Sequence, residues 1–112
     1  MSSVGDLWIT DFGDPFPSEP GLFRPALVVG PVPKLGARFP NVFVVPLTTT
    51  YRDLDFHIEI ETSTSNGLEV TSYAQCELLR SVSKMRLVNQ IGVVDFESAA
   101  AVDRILRYFL GW

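Results

Sequence analysis

Four stretches of this 112-residue chain carry side chains suited to phosphate or acid–base chemistry. Arg24-Pro25 heads an apolar run just after a loop rich in proline and glycine. A guanidinium is permanently charged and presents a planar fork that matches phosphate oxygens. Held at the mouth of a strand, it would stabilise charge developing on a phosphorane; it would equally serve to pair with Glu19 or another carboxylate. Thr48, Thr49 and Thr50 close a second β-branched run. Their hydroxyls could donate to a phosphate, or could only satisfy nearby backbone groups. His57 is the single histidine and the obvious general acid or base. The alternation of Phe56–Glu61 places it outward with Glu59 and Glu61, and no triad assembles around it. Arg80, Lys84 and Arg86 form the densest basic stretch, able to touch RNA phosphates or to be a solvated connection.

The elements that must position these groups are mostly short strands. Asp6–Phe12 alternates as a two-faced strand. Residues 13–21 hold three prolines and two glycines and make a stiff loop. Arg24–Gly30 has an apolar centre without alternation, which predicts burial on both faces. Pro31, Pro33, Gly36 and Pro40 punctuate a second loop before a strand over Asn41–Thr50, and Phe56–Glu61 follows as another. At Ser65-Asn66-Gly67 the Asn and Gly tolerate positive φ and so predict a turn. Strands are expected around Val70–Leu79 and Gln90–Val94, with a short basic connection between them. Asp95 is the expected N-cap of a final helix, with Ala99, Val102, Ile105, Leu106 and Phe109 on one face. Six or so strands and one terminal helix describe a mainly β fold: a small, twisted β-barrel with a helix packed on it.

Composition sets the outer bounds. The length suits one domain over residues 1–112, 46% of residues are hydrophobic and 20% charged, and a disordered chain is excluded. No apolar run approaches the roughly 18 residues that would span a bilayer, and the first residues lack a leader-like pattern, so a cytoplasmic protein is expected. One cysteine, Cys76, excludes an internal disulfide, and one His with one Cys excludes a His/Cys zinc site; no cofactor is expected. The formal charge is −4, divided evenly: 4 basic against 6 acidic residues in the first half, 5 against 7 in the second. That balance excludes a broad basic surface for nucleic acid, so any such activity must come from a few placed residues.

The order of motifs resembles the MazF/PemK (Kid) toxins of type II toxin–antitoxin modules. Gly5-Asp6-Leu7-Trp8, Asp11-Phe12-Gly13, Ser18-Glu19 and Arg24-Pro25-Ala26-Leu27-Val28-Val29 look like the opening of that family. Val44-Val45-Pro46-Leu47-Thr48 looks like its second signature strand, and Gly67-Leu68, Ser72, Cys76-Glu77, Arg80-Ser81-Val82, Lys84, Arg86-Leu87 and Gly92 follow in similar order. The resemblance spans residues 5–111.

What it implies is a homodimeric, SH3-like barrel of the CcdB/MazF/Kid type that cuts single-stranded RNA without a metal. A ribose 2′-hydroxyl attacks the adjacent phosphorus, leaving a 2′,3′-cyclic phosphate and a free 5′-hydroxyl. The family's catalytic arginine maps to Arg24 and its signature threonine to Thr48, with Glu77 at the acidic position after the cysteine as the candidate base. Phe16, Ser18, Glu19, Arg80, Lys84 and Arg86 are the implied RNA contacts, and a MazE-like antitoxin the implied partner. Departures from the Kid-like branch are Ser18 and Gln75, where that branch has a histidine and a second arginine, and Leu78 in place of its glutamine. They leave open a dimer that binds antitoxin without catalysis. The terminal Tyr108-Phe109-Leu110-Gly111-Trp112 motivates another reading, a gyrase-binding poison like CcdB.

Overall fold

In the computed structural model, residues 2–14, 17, 22–36 and 38–112 are described. Seven strands form one antiparallel sheet: β1 (Asp6–Asp11), β2 (Phe23–Gly30), β3 (Asn41–Thr48), β4 (His57–Ile60), β5 (Ser72–Gln75), β6 (Arg80–Ser83) and β7 (Leu87–Val93). Along the sheet the order is β4-β5-β3-β2-β1-β7. Strand β3 divides its outer edge, pairing residues 41–44 with β6 and residues 47–48 with β5. This fork bends the sheet into the expected barrel-like shape, open between β4 and β7 among the described residues. A four-residue helix α1 (Pro33–Gly36) lies between β2 and β3, and helix α2 (Phe96–Leu110) ends the fold.

The unbroken apolar centre of β2 has its expected cause, two cores on opposite faces. Leu7, Leu27, Val45, Leu47, Ile60, Ala74 and Cys76 face Val102 and Leu106 of α2. On the other face Ala26, Val28, Val42, Val44 and Val82 gather with Phe12, and Trp8 and Leu87 pack against them. Helix α2 starts at Asp95 as predicted: the carboxylate accepts from Ser98 N at 3.1 Å and Ser98 Oγ at 2.6 Å. Those bonds hold the Asp95 carboxyl below the usual carboxylate range. Gly111 closes the helix in the left-handed region at φ 75°.

Three details differ from the sequence reading. The basic connection contains β6, because Val82 enters the second core and draws Arg80–Ser83 along β3. The strand expected to Leu79 stops at Gln75, where Cys76–Leu78 forms a single 3-10 turn. At the 65–67 turn only Gly67 takes positive φ, at 69°. Asn66, 2% exposed, acts through its side chain instead: Oδ1 accepts from Ser63 N and Leu68 N, and Nδ2 donates to Glu61 O at 2.8 Å. The turn sits so close to β7 that a Cβ on Gly67 would fall 2.0 Å from Ile91 O.

Candidate active site

Side chains alternate along each strand, and residues paired across antiparallel strands share a face. Arg24 alternates with Ala26 and Val28, so it projects on the face away from α2. Pairing of β2 with β3 runs through Ala26↔Pro46, and two residues further along each strand stand Arg24 and Thr48. Thr48 in turn pairs with Tyr73, and Tyr73 with Glu59. Continued past its last pair, the β2–β3 register sets the two signature residues opposite one another at the ends of β2 and β3. Arg24 is half-buried, opposite the fully buried Thr10 of β1, and its Nε is buried with no partner among the described residues. Thr48 Oγ1 accepts from Thr50 N at 3.2 Å, the local backbone bond foreseen as one alternative. That bond uses a lone pair and leaves the hydroxyl proton to be donated.

The next row on the same face holds His57 paired with Gln75. Here the sequence reading is corrected: the His57 side chain is 3% exposed, not outward. The Phe56 ring stands edge-on against it, with centroids 5.5 Å apart, and Glu77 closes the other side. His57 Nε2 lies 2.9 Å from Glu77 Oε2. An ionised carboxylate only accepts, so Nε2 carries the hydrogen of this bond. Glu77, 30% exposed, thus has one oxygen held by a buried imidazole and the other without a partner among the described residues. Sequence reasoning named both residues but not their partnership, because twenty residues separate them and the 3-10 turn sets the angle at which Glu77 leaves the sheet.

Among the described residues Glu77 makes its ion pair with His57 and none with Arg24. The buried side-chain polar atoms lacking a partner among the described residues are Arg24 Nε, His57 Nδ1 and Gln75 Oε1. Unmet buried polar atoms are uncommon, and this face holds the three found among the described residues.

Of the remaining candidates, Arg80 and Arg86 lie by Phe12 and Gly13 at the Arg24 end of the sheet, whereas Lys84 lies at the opposite end of β3 from Thr48, its backbone N–H bonded to Pro40 O, and is not part of the site. Arg80, opposite Val44, places its Cζ 5.3 Å from the centroid of the Phe12 ring. Arg86 Nη1 donates to Asp11 O at 3.1 Å, at the base of the 13–21 loop, and Lys84 Nζ donates to Gly36 O. Each basic residue thus has an internal contact, and two of them tie loops to the sheet. The loop neck is closed by Phe12 N donating to Leu22 O and Leu22 N to Gly13 O. Leu22 pays for this with φ 59°, a conformation unusual for leucine. Phe16, Ser18 and Glu19 lie outside the described residues. Cys76 is buried in the other core, and burial pushes its thiol up to about 12, so it is no nucleophile for this site.

The family model for the PemK-like, MazF-like toxin of type II toxin–antitoxin systems matches residues 3–110. The chain belongs to this toxin family. Endoribonuclease MazF9 of Mycobacterium tuberculosis is 30% identical over 116 residues, spanning 98% of this chain and 97% of the relative. Endoribonuclease EndoA of Bacillus subtilis is 32% identical over 109 residues, spanning 95% and 91%. Among solved structures, MazF from Deinococcus radiodurans superposes with a TM-score of 0.84 at 22% identity, covering 99% of this toxin and 97% of that chain. A mycobacterial endoribonuclease solved with its cognate antitoxin gives 0.81 at 22% identity, covering 99% and 96%. The fold is therefore the MazF-type fold, reached from the sequence motifs and from the coordinates alike. No helix among the described residues is long and apolar enough to cross a membrane.

Proposed function

We propose that this toxin is an endoribonuclease that cuts single-stranded RNA through attack of a ribose 2′-hydroxyl on the adjacent phosphorus. The observation that carries the reading is the β2–β3 register, which continued by two residues sets Arg24 and Thr48 opposite each other on the face away from α2, with the Arg24 Nε unpartnered among the described residues. Arg24 and the Thr48 hydroxyl bind the phosphoryl oxygens and stabilise the dianionic phosphorane. Arginine is a poor base at neutral pH. Glu77 takes the 2′-hydroxyl proton on its free oxygen, while His57 holds the other. The P–O5′ bond breaks, the leaving oxygen takes a proton from water, and the products are a 2′,3′-cyclic phosphate and a 5′-hydroxyl. No step calls on a metal ion.

A MazE-like antitoxin, a homodimeric state, and action in the cytoplasm complete the proposal. Relatives named as endoribonucleases and a relative solved with its antitoxin support it. The gyrase-poison alternative gains nothing from relatives so named, and Phe109 packs edge-on against Phe56 beside His57. End-group analysis of RNA incubated with the pure toxin and EDTA tests the mechanism. Cyclic phosphate and 5′-hydroxyl ends are expected; uncut RNA across varied sequences, or cutting undiminished by Arg24→Ala, refutes it.

A further inference from the structure

Tyr51 and Tyr73 stand immediately beside the proposed phosphate site, and neither belongs to the motifs that identify the family. Tyr73 pairs with Thr48 across β3 and β5, and so projects on the same face as Arg24 and Thr48. Tyr51, three residues beyond Thr48, is 64% exposed. The two rings lie 5.6 Å apart at 54°. An exposed aromatic ring on a loop ordinarily moves freely, but this one is held at both ends. The ring lies tilted against Tyr73, and its hydroxyl donates to Asp53 Oδ1 at 2.9 Å. Asp53 adopts φ 51° to place that carboxylate, a left-handed conformation that costs an aspartate less than most residues. The exposed ring thus has two fixed contacts, Tyr73 and the Asp53 carboxylate.

We infer that Tyr51, braced by Tyr73 and Asp53, is a stacking site for one nucleobase adjacent to the scissile phosphate. The inference rests on the endoribonuclease reading and adds a specificity subsite to it. Aromatic faces accept any base by stacking, and a ring already immobilised loses little freedom when the base arrives. Charge decides against other occupants. Asp53 bonds Tyr51, Glu59 pairs with Tyr73 on the same face, and the exposed Arg52 stands between Tyr51 and Asp53 in the chain, so the two rings are flanked by charges of both signs. Such a mixed rim gives neither a phosphate nor an acidic segment a dedicated cationic seat, while the uncharged π-face of a base needs none. The RNA therefore enters with its backbone toward Arg24 and a base turned out over Tyr51.

The test uses the intact toxin and an RNA made uncleavable by a single 2′-deoxy nucleotide at the cut position. An abasic nucleotide is walked through the flanking positions and Kd read by fluorescence anisotropy. One position next to the cut is expected to weaken binding by about ten-fold or more when its base is missing. In Tyr51→Leu, which keeps apolar bulk at an exposed site, intact RNA binds with that weakened Kd and removing the same base has no further effect. Tyr51→Phe, which keeps the ring and loses the bond to Asp53, falls between. The proposal is overturned if no abasic position matters, if Tyr51→Leu shows the same abasic penalty as the parent, or if only antitoxin affinity responds. An all-ribose RNA left uncut by the parent toxin in the same series refutes the endoribonuclease reading itself, a distinct result.

Discussion

Replacing His57 by phenylalanine separates its structural from its chemical role. The change keeps an aromatic ring against Phe56 and deletes both ring nitrogens. Two energetic consequences oppose each other. The bond from Nε2 to Glu77 is lost; bonds to charged groups contribute about 1.5–3 kcal/mol, reduced here because Glu77 is nearly one-third exposed and is rehydrated. Removal of Nδ1 relieves a buried polar atom without a partner among the described residues, which recovers about 1–3 kcal/mol. The two nearly cancel, so stability should change by about 1 kcal/mol or less and Tm by about 5 °C at most.

Catalysis has no such compensation. A carboxylate base contributes roughly 10²–10⁴-fold, and without His57 its one fixed oxygen becomes free to rotate away. His57→Phe should lower kcat by about ten- to a hundred-fold with little change in KM, and Glu77→Gln should cost at least as much. Because His57 acts through Glu77, the double variant should be no slower than Glu77→Gln alone. Single-turnover cleavage of a fluorescent RNA, with thermal unfolding of the same samples, measures all of this. His57→Gln, which retains a donor near the Nε2 position, should restore part of the rate. Additive losses in the double variant, or a kcat unchanged in His57→Phe, would refute the assignment of His57 as the group that positions the base.

The other predictions concern separate parts of the molecule. Arg24→Lys should lose most cleavage although charge is retained, because a single ammonium cannot reproduce the planar fork; kcat near that of the parent in a gel assay would argue against phosphorane stabilisation by Arg24. Asn66→Ala removes three side-chain bonds at a buried site and should cost about 2–4 kcal/mol in urea unfolding, whereas Ser98→Ala, which trims only a helix-cap contact, should cost about 1 kcal/mol or less. Cys76 should resist alkylation in the folded state, its thiol being buried and pushed up to about 12. An acidic group whose folded value is raised contributes stability that is intact below the unfolded value, near 8.5, and declines as pH rises toward 12, by at most about 1.4 kcal/mol per unit. Cys76→Ala should flatten that alkaline decline, as read from unfolding curves between pH 8 and 11.

Much of the fold was legible in periodicity. The two-faced burial of β2, the cap at Asp95 and the helical face of α2 all follow from local patterns that tertiary packing reinforces. The site was legible only where it coincides with strands: Arg24 heads one apolar run and Thr48 closes another, and the antiparallel register, continued by two residues, sets them opposite each other. What escaped depends on contacts distant in sequence. His57 reads as a surface residue because Phe56-His57-Ile58-Glu59 alternates, yet alternation gives only the face and not whether that face is covered. Phe56 and Glu77 cover it, and neither is predictable from the strand itself. Strand β6 escaped for a related reason, since four residues with one buried valine carry no period of their own and pair only because β3 offers an edge.

The net charge of −4 takes on a different meaning once the basic residues are placed. Arg86 and Lys84 are bonded to backbone carbonyls at loop bases, and Arg80 stacks on Phe12. These three cations are thus committed to internal contacts. Of the basic site candidates, Arg24 is then the one left to engage a phosphate directly, and the Tyr51 ring is flanked by Asp53 as well as Arg52. Few counterions are released when such a surface binds RNA, because few phosphates are neutralised. Binding should therefore weaken with salt along a shallow line, with a log–log slope of about −1 to −3 for single-stranded RNA. Selectivity must come instead from bases seated near the cut, which ties the acidity of the chain to recognition of a short sequence. A steep slope, of the kind produced by six or more phosphate contacts, would mean that the three tethered cations release their internal partners on binding, and the loops they anchor would then have to move with the RNA.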